Sequence, residues 1–460
     1  MHYGVYALLP PFLAIVLAII TRNVFLALAV GILSGYLVID PHPVAAAVAM
    51  WEGFGDLLQK GWVLKTLAFA IFVGAIIELI QRSGGVESFV AYLQRQKGYV
   101  TDKKRAELLP FFIGLAIFIE SSITSLVAGT VARPLTDRFG TSREKLAYIC
   151  DSTAAPVCTM FPLNAWGALL LGLIGAQIDA GVIDGEALPL LANSLAFNFY
   201  AFFSIALVLF TILKGIDFPA YTPIDTPASS HAPSRQGTPL DLLVPILSML
   251  GLVVVALFIT GEGNPLEGSG STAVFVGVLG SVLLSSLYYR LRGKMESMKI
   301  IEAIYRGVVT MLPIAGILLL AFAIGDVTVK LDTGGYMAHF ARAILNPALL
   351  PAGIFLLSAL IAFATGTSWG TFSIMMPIAI TMNAGMGMVD TALLPLAIAA
   401  VVSGGVFGDH ASPISDTTII AAMAAGCDLV AHVKTQLPWA LFAAFLAMMA
   451  FLLSGWIVRL

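Results

Sequence analysis

Ser403-Gly404-Gly405-Val406-Phe407-Gly408-Asp409-His410-Ala411-Ser412-Pro413-Ile414-Ser415-Asp416-Thr417-Thr418 interrupts an otherwise apolar run from residue 391 to 426. A proline inside a helix costs about 3 kcal/mol, and an ionised acid at a bilayer centre costs about as much again. One continuous helix is therefore excluded. Non-helical backbone at membrane depth is tolerated only where it lines a cavity or is buried in protein. The stretch predicts a broken helix whose freed carbonyls, hydroxyls and carboxylates form hard oxygen ligands suited to a small cation.

The rest of the chain supports a membrane setting. Of 460 residues, 59% are apolar and 11% charged, against roughly 25% charged in soluble proteins. Apolar runs predict an all-α polytopic membrane protein of about ten transmembrane helices. They lie at 5–20, 24–39, 62–81, 146–171, 192–213, 241–260, 271–289, 307–325, 391–426 and 438–458. The first run lacks a basic leader and reads as a retained span. Two further apolar stretches, 108–132 and 348–383, read as re-entrant hairpins. The segments flanking the first, 82–107 and 133–145, are both basic and so both cytoplasmic, and about 25 residues cannot cross twice. Nineteen of 24 Lys and Arg then lie inside, leaving Lys60, Lys65, Lys330, Arg342 and Arg459 outside with both termini. The formal charge of −3 points to no nucleic-acid partner. Cys150, Cys158 and Cys427 lack CxxC spacing, so neither disulfides nor zinc is expected.

The chain also repeats itself at an offset of about 240 residues. Thr124-Ser125 followed by Pro134 recurs as Thr367-Ser368 followed by Pro377, and Asp151-Ser152-Thr153-Ala154-Ala155-Pro156 recurs as Asp409-His410-Ala411-Ser412-Pro413. Five spans and one hairpin per half force the second half upside down. The organisation is therefore a first inverted repeat at 1–213 (hairpin 108–132, broken helix 146–171), a Pro-rich cytoplasmic linker at 214–240, and a second at 241–460 (hairpin 348–383, broken helix 391–426). Inverted repeats with broken helices are the architecture of secondary transporters, which bind substrate and ions near the midplane.

Intramembrane acids are functional candidates by default. Asp409, Asp416 and Asp151 are the candidate sodium ligands, and Asp416 also suits an N-cap of a helix resuming at Thr417. The hydroxyls of Ser412, Ser415, Thr417, Thr367, Ser368, Ser152, Thr153, Thr124 and Ser125 extend the ion- or substrate-binding set. His410, read as the one histidine inside a span, suits proton exchange or a structural hydrogen bond. Glu120 heads the polar run of the first hairpin, but its partner in the repeat is Phe363. Asn164 and Trp166 suit either cavity lining or packing. A competing reading takes Gly366-Thr367-Ser368-Trp369-Gly370 as a GxSxG nucleophile elbow, making an intramembrane serine hydrolase, although that motif belongs on a strand-to-helix turn. HExxH and Walker A motifs are absent, which indicates neither a zinc protease nor an ATP-driven pump.

Residues 407–418, with Ala364-Thr365-Gly366-Thr367-Ser368-Trp369-Gly370-Thr371 and Asp151-Ser152-Thr153-Ala154-Ala155-Pro156, resemble the signature of the NhaC-type sodium/proton antiporter family. The resemblance implies a bacterial inner-membrane exchanger with Na+ and H+ as its transported or coupling ions and no other cofactor. Family members of this type include sodium/proton exchangers, a malate/lactate exchanger and amino-acid carriers, so a small organic solute is the alternative cargo. Arg133 is the one arginine expected near the site, which favours a bare cation or a solute held by hydroxyls and backbone. A homodimer in the lipid bilayer fits such a scaffold, with hairpins and broken helices moving as a unit against the other spans.

Overall fold

Apolar runs fold into helices because lipid offers their backbone no hydrogen-bonding alternative, and helices are all the regular structure found among the described residues. A computed structural model describes residues 3–21, 23–85, 88–89, 92, 101–118, 121–162, 164–221, 238–264, 268–333, 336, 346–388 and 392–459. The first half comprises α1 (Leu9–Thr21), α2 (Val24–Ile39), α3 (Pro43–Gln59), α4 (Gly61–Arg82), α5 (Lys103–Ala116), α6 (Ser121–Arg138), α7 (Arg143–Ser152), α8 (Ala155–Cys158), α9 (Ala165–Asp179), α10 (Ala187–Leu195) and α11 (Phe199–Lys214). The second comprises α12 (Leu240–Thr260), α13 (Gly270–Leu291), α14 (Ser297–Lys330), α15 (Leu350–Thr365), α16 (Ser368–Gly385), α17 (Leu393–Ala411), α18 (Asp416–Ala425) and α19 (Leu429–Arg459).

The element order is the same in both halves: spans, a helical hairpin (α5/α6, α15/α16), a broken helix (α7–α9, α17/α18) and a closing span. Among the described residues eight helices are long and apolar enough to cross a membrane, nine if α2 and α3 are one span bent by 118°. The eight do not map one to one on the ten expected: the first helix and α2 are too short alone, the span expected at 146–171 is divided into α7–α9, and one arm of the second hairpin, Pro347–Thr365, is itself long and apolar enough to cross. Three further details differ from expectation. Helix α3 occupies a stretch read as a loop and exposes Val44 and Trp51. Helix α14 starts ten residues early. Helix α19 begins at Leu429 rather than 438.

Close backbone approach holds the frame together. Where α4 crosses α14, a Cβ on Gly74 would lie 2.2 Å from the Gly307 carbonyl, and one on Gly307 would lie 2.3 Å from that of Gly74. Gly404 and Gly408, one turn apart on α17, press in the same way on the α15 backbone at Phe355 and Phe363, the small-xxx-small arrangement of membrane helix pairs. Polar pairing is buried too. Lys145 on α7 meets Glu107 on α5 at 2.7 Å with both side chains inaccessible, and Thr141 donates to the same carboxylate. This pair fixes the first hairpin to the broken helix that follows.

Overpacking a tight contact costs about 1–3 kcal/mol. Gly307→Val is accordingly expected to lower the thermal midpoint of the detergent-solubilised protein, while Gly55→Ala on exposed α3, where an added Cβ meets nothing within 4 Å, is expected to leave it unchanged or raise it slightly. Scanning fluorimetry of both variants checks the pair.

Candidate functional site

Helix α17 ends inside the protein, two residues past Asp409, and α18 begins at Asp416 after four residues of irregular chain. Asp409 is 2% exposed, so its carboxylate must be answered by the protein. Ser415 Oγ donates to Oδ1 at 2.5 Å and Ser368 Oγ to Oδ2 at 2.8 Å, short bonds of the charge-assisted kind. Ser415 also shares a hydrogen bond with the Thr417 hydroxyl at 3.0 Å. The Ser368 hydroxyl comes from the tip of the second hairpin. That tip turns on Gly366, whose φ of +68° suits glycine, and on Thr367, the N-cap of α16, whose hydroxyl accepts from the Gly370 N–H.

Asp416 behaves differently. It is the first residue of α18, with Ser415 as N-cap, one position away from the capping role expected of it. It is exposed, and its carboxylate accepts from the Thr417 N–H at 2.9 Å. It opens into a cavity of about 360 Å³ lined by both hairpin tips, Ser121 and Ser122 on one side and Thr367 and Ser368 on the other, with Asp409 and Thr417 beside it.

Asp151 is not at that cavity. It is fully buried at the end of α7, where Gln436 Nε2 donates to its Oδ2 at 2.7 Å and His432 Nε2 lies 3.4 Å away. The same Gln436 amide donates to the His410 carbonyl at 2.5 Å. The His410 ring shares hydrogen bonds with Ser152 Oγ at 2.8 Å and Tyr200 OH at 2.6 Å. The three acids expected together thus divide, with Asp409 and Asp416 at the cavity and Asp151 in a network behind it. His410 is also not the only intramembrane histidine: His432, fully buried on α19, is another, because that helix starts nine residues early. Residue spacing gave no sign of His432, Gln436 or Tyr200. They lie before residue 438 or within an apolar run, outside the polar breaks that marked the candidates.

The remaining candidates separate by what their polar atoms bind. Thr124 donates to the Ile117 carbonyl, Thr153 to that of Ile149 at 2.7 Å and Ser412 to that of Phe363 at 2.9 Å, so these three stabilise backbone. Ser125, the repeat counterpart of Ser368, points at the Cys150 carbonyl beside Asp151, 3.5 Å away. Glu120 lies outside the described residues. Asn164 caps α9 and donates to the carbonyls of Phe118 and Cys158, both at 2.7 Å, whereas Trp166 lines the cavity. Arg133 packs beside Gly426 and does not line it. Ser368 bonds an acid, and the His410 ring nitrogens bond Ser152 and Tyr200, so Ser368 and His410 do not pair as the GxSxG reading requires.

Residues 157–456 match the Na+/H+ antiporter family. The chain belongs to that family. An uncharacterized protein of Haemophilus influenzae is 31% identical over 98% of this chain and 91% of its own. The malate-2H(+)/Na(+)-lactate antiporter of Bacillus subtilis is 32% identical over 22% of this chain and 21% of its own. In fold this antiporter-family chain is similar to the Neisseria gonorrhoeae efflux pump MtrF, with a TM-score of 0.57 and 16% identity over 91% of this chain and 85% of that one. The chain is a multi-pass membrane transporter.

Removing the Gln436 amide strips the shortest donor from both Asp151 and the His410 carbonyl, leaving them to His432 and Thr418 at 3.4 Å, and an unsatisfied buried polar atom costs about 1–3 kcal/mol. Gln436→Leu is expected to lower the unfolding midpoint more than Ser412→Ala, which takes one donor from a single carbonyl. Thermal unfolding of the two variants in the same detergent gives the comparison.

Proposed function

We propose that the protein is a Na+/H+ antiporter of the bacterial inner membrane, with Asp409 and Asp416 as the carboxylates that hold either Na+ or a proton. The observation that carries this reading is Asp409. It is buried, seated at a helix break, and bonded through both oxygens to hydroxyls that can also serve as ligands. Na+ takes hard oxygen donors, and Ser368, Ser415 and Thr417 surround the acid with them. A carboxylate cannot hold proton and cation at once on the same oxygens, so each displaces the other and the two gradients are coupled.

The halves are inverted in the membrane, with the basic loops and the 214–240 linker inside and both termini outside. The cavity lies between the α4/α14 pair, which supplies Val73, Ile77 and Met311, and the hairpin tips with α17 and α18. Relative movement of those two bodies, each tightened internally by glycine contacts, opens the site to alternate sides. A homodimer braces the α4/α14 side. A second reading, Na+- or H+-coupled movement of a small organic solute such as an amino acid or carboxylate, is favoured by one observation: about 360 Å³ is far more than a bare ion fills and falls within the roughly 300–1,000 Å³ of small-molecule pockets.

The test is dissipation of a pH gradient by purified protein in liposomes on addition of Na+, Li+ or K+. Na+ is expected to dissipate it and Asp409→Asn to abolish the response. Ser368→Ala is expected to raise the half-saturating Na+ concentration roughly tenfold, the equivalent of about 1.4 kcal/mol. A full response from Asp409→Asn would refute the assignment.

A further inference from the structure

The rest of the cavity lining has its own chemistry. Trp166 and Trp369 stand edge-to-face with ring centroids 6.2 Å apart, and Val73, Ile77, Met311 and Ile317 complete an apolar surface. None of the described lining residues is Lys or Arg. We propose that this cavity binds an organic ammonium, a solute with a single positively charged nitrogen and an apolar or aromatic body. The inference rests on the transporter reading above and names the solute class of its cavity.

Three features carry it. First, Asp416 faces the cavity with backbone N–H groups of the first turn of α18 as partners, so a charge-assisted bond to an incoming N–H donor is available. Asp409, beside it, is already served by two hydroxyls. Second, indole faces attract cations by about 0.5–1 kcal/mol when exposed and about 2 when desolvated, and the same surfaces bury a hydrocarbon body. Third, a carboxylate on the solute would enter a site carrying two acids and no cationic side chain. The helix N-termini at the tips partly answer such a charge, but two of them are already served from within: Thr367 accepts from Gly370 at the start of α16, and Asp416 accepts from Thr417 at the start of α18. Ammonium and Na+ share the two carboxylates, so they compete.

The experiment is calorimetric titration of the purified full-length protein, in Na+-free potassium buffer near neutral pH, with three molecules of one shape: 2-phenylethylamine, 3-phenylpropionate and phenylalanine. The amine is expected to bind, the acid not to, and phenylalanine to bind at least tenfold more weakly than the amine. Added Na+ is expected to raise the apparent Kd for the amine. Asp416→Asn and Trp166→Ala, each checked for an unchanged elution profile and unfolding midpoint, are expected to weaken amine binding at least tenfold, and Trp166→Phe to retain most of it. The inference is overturned if the amine does not bind, if phenylalanine or the acid binds as well as the amine, or if amine binding ignores both Asp416→Asn and Trp166→Ala. Gradient dissipation by Na+ in liposomes of the same preparation separates the two readings: Na+ exchange without amine binding leaves antiport standing and removes the inference, and amine binding without Na+ exchange does the reverse.

Discussion

A helix that stops inside a membrane protein leaves its last carbonyls without N–H partners, and lipid supplies none. The organisation around residues 409–418 follows from that deficit. The Thr418 hydroxyl, from the first turn of α18, reaches back to the carbonyls of Asp409 and His410 at 3.3 and 3.4 Å. The Gln436 amide takes the His410 carbonyl as well, and the Ser412 N–H returns to Asp409 at 3.4 Å. These bonds fix where α18 and α19 sit against α17. The acid at the break is therefore held in one place by the backbone it helps to interrupt.

The hydroxyl that completes the site comes from a different element, so its placement depends on packing. Gly404 and Gly408 let α17 lie directly on the α15 backbone. That contact sets the height of the hairpin, and Gly366 turns the chain so that Ser368 opens α16 facing Asp409. A Cβ at Gly404 or Gly408 would lie 2.4 or 2.3 Å from the α15 backbone, so α15 would have to shift. In the first half, Ser125 and Asp151 hold the matching places, yet Ser125 reaches only the Cys150 carbonyl and Asp151 turns to α19. Among the described residues, the acids that line the cavity, Asp409 and Asp416, come from the second half.

How much of this was legible in the sequence depends on whether the signal was local. Residues 403–418 were legible because polar groups, Pro413 and glycines inside an apolar run have one inexpensive structure, a buried break. The second hairpin arms, α15 and α16, fall within three residues of the stretch drawn for them, because a run too long for one crossing and too short for two leaves few choices. The network behind the cavity was not legible. Asp151 and Gln436 are 285 residues apart, and no periodicity relates them. His432 and Gln436 lie in a segment whose mixed polarity resembles a loop until buried partners are known. Helix α3 was missed for the opposite reason, since its alternation of exposed apolar and acidic residues is too weak for a span.

The two cavity acids are seven positions apart and electrostatically unlike. In the exchange proposed above, a cation entering from the cavity would meet Asp416 first, because that carboxylate is open and its helix N–H partner would not have to be displaced. Asp409 lies behind it with both oxygens engaged. A hydroxyl is at once donor and acceptor. Ser368 and Ser415 turn their protons onto the Asp409 carboxylate, and under the proposed exchange the same oxygens would turn their lone pairs toward a bound cation. The same side chains would thus solvate the acid in one state and the ion in the other. On that proposal, removing either hydroxyl would leave the empty state with a poorly answered charge and the loaded state with a missing ligand, so cation affinity would depend on Ser368 and Ser415 as directly as on the acid.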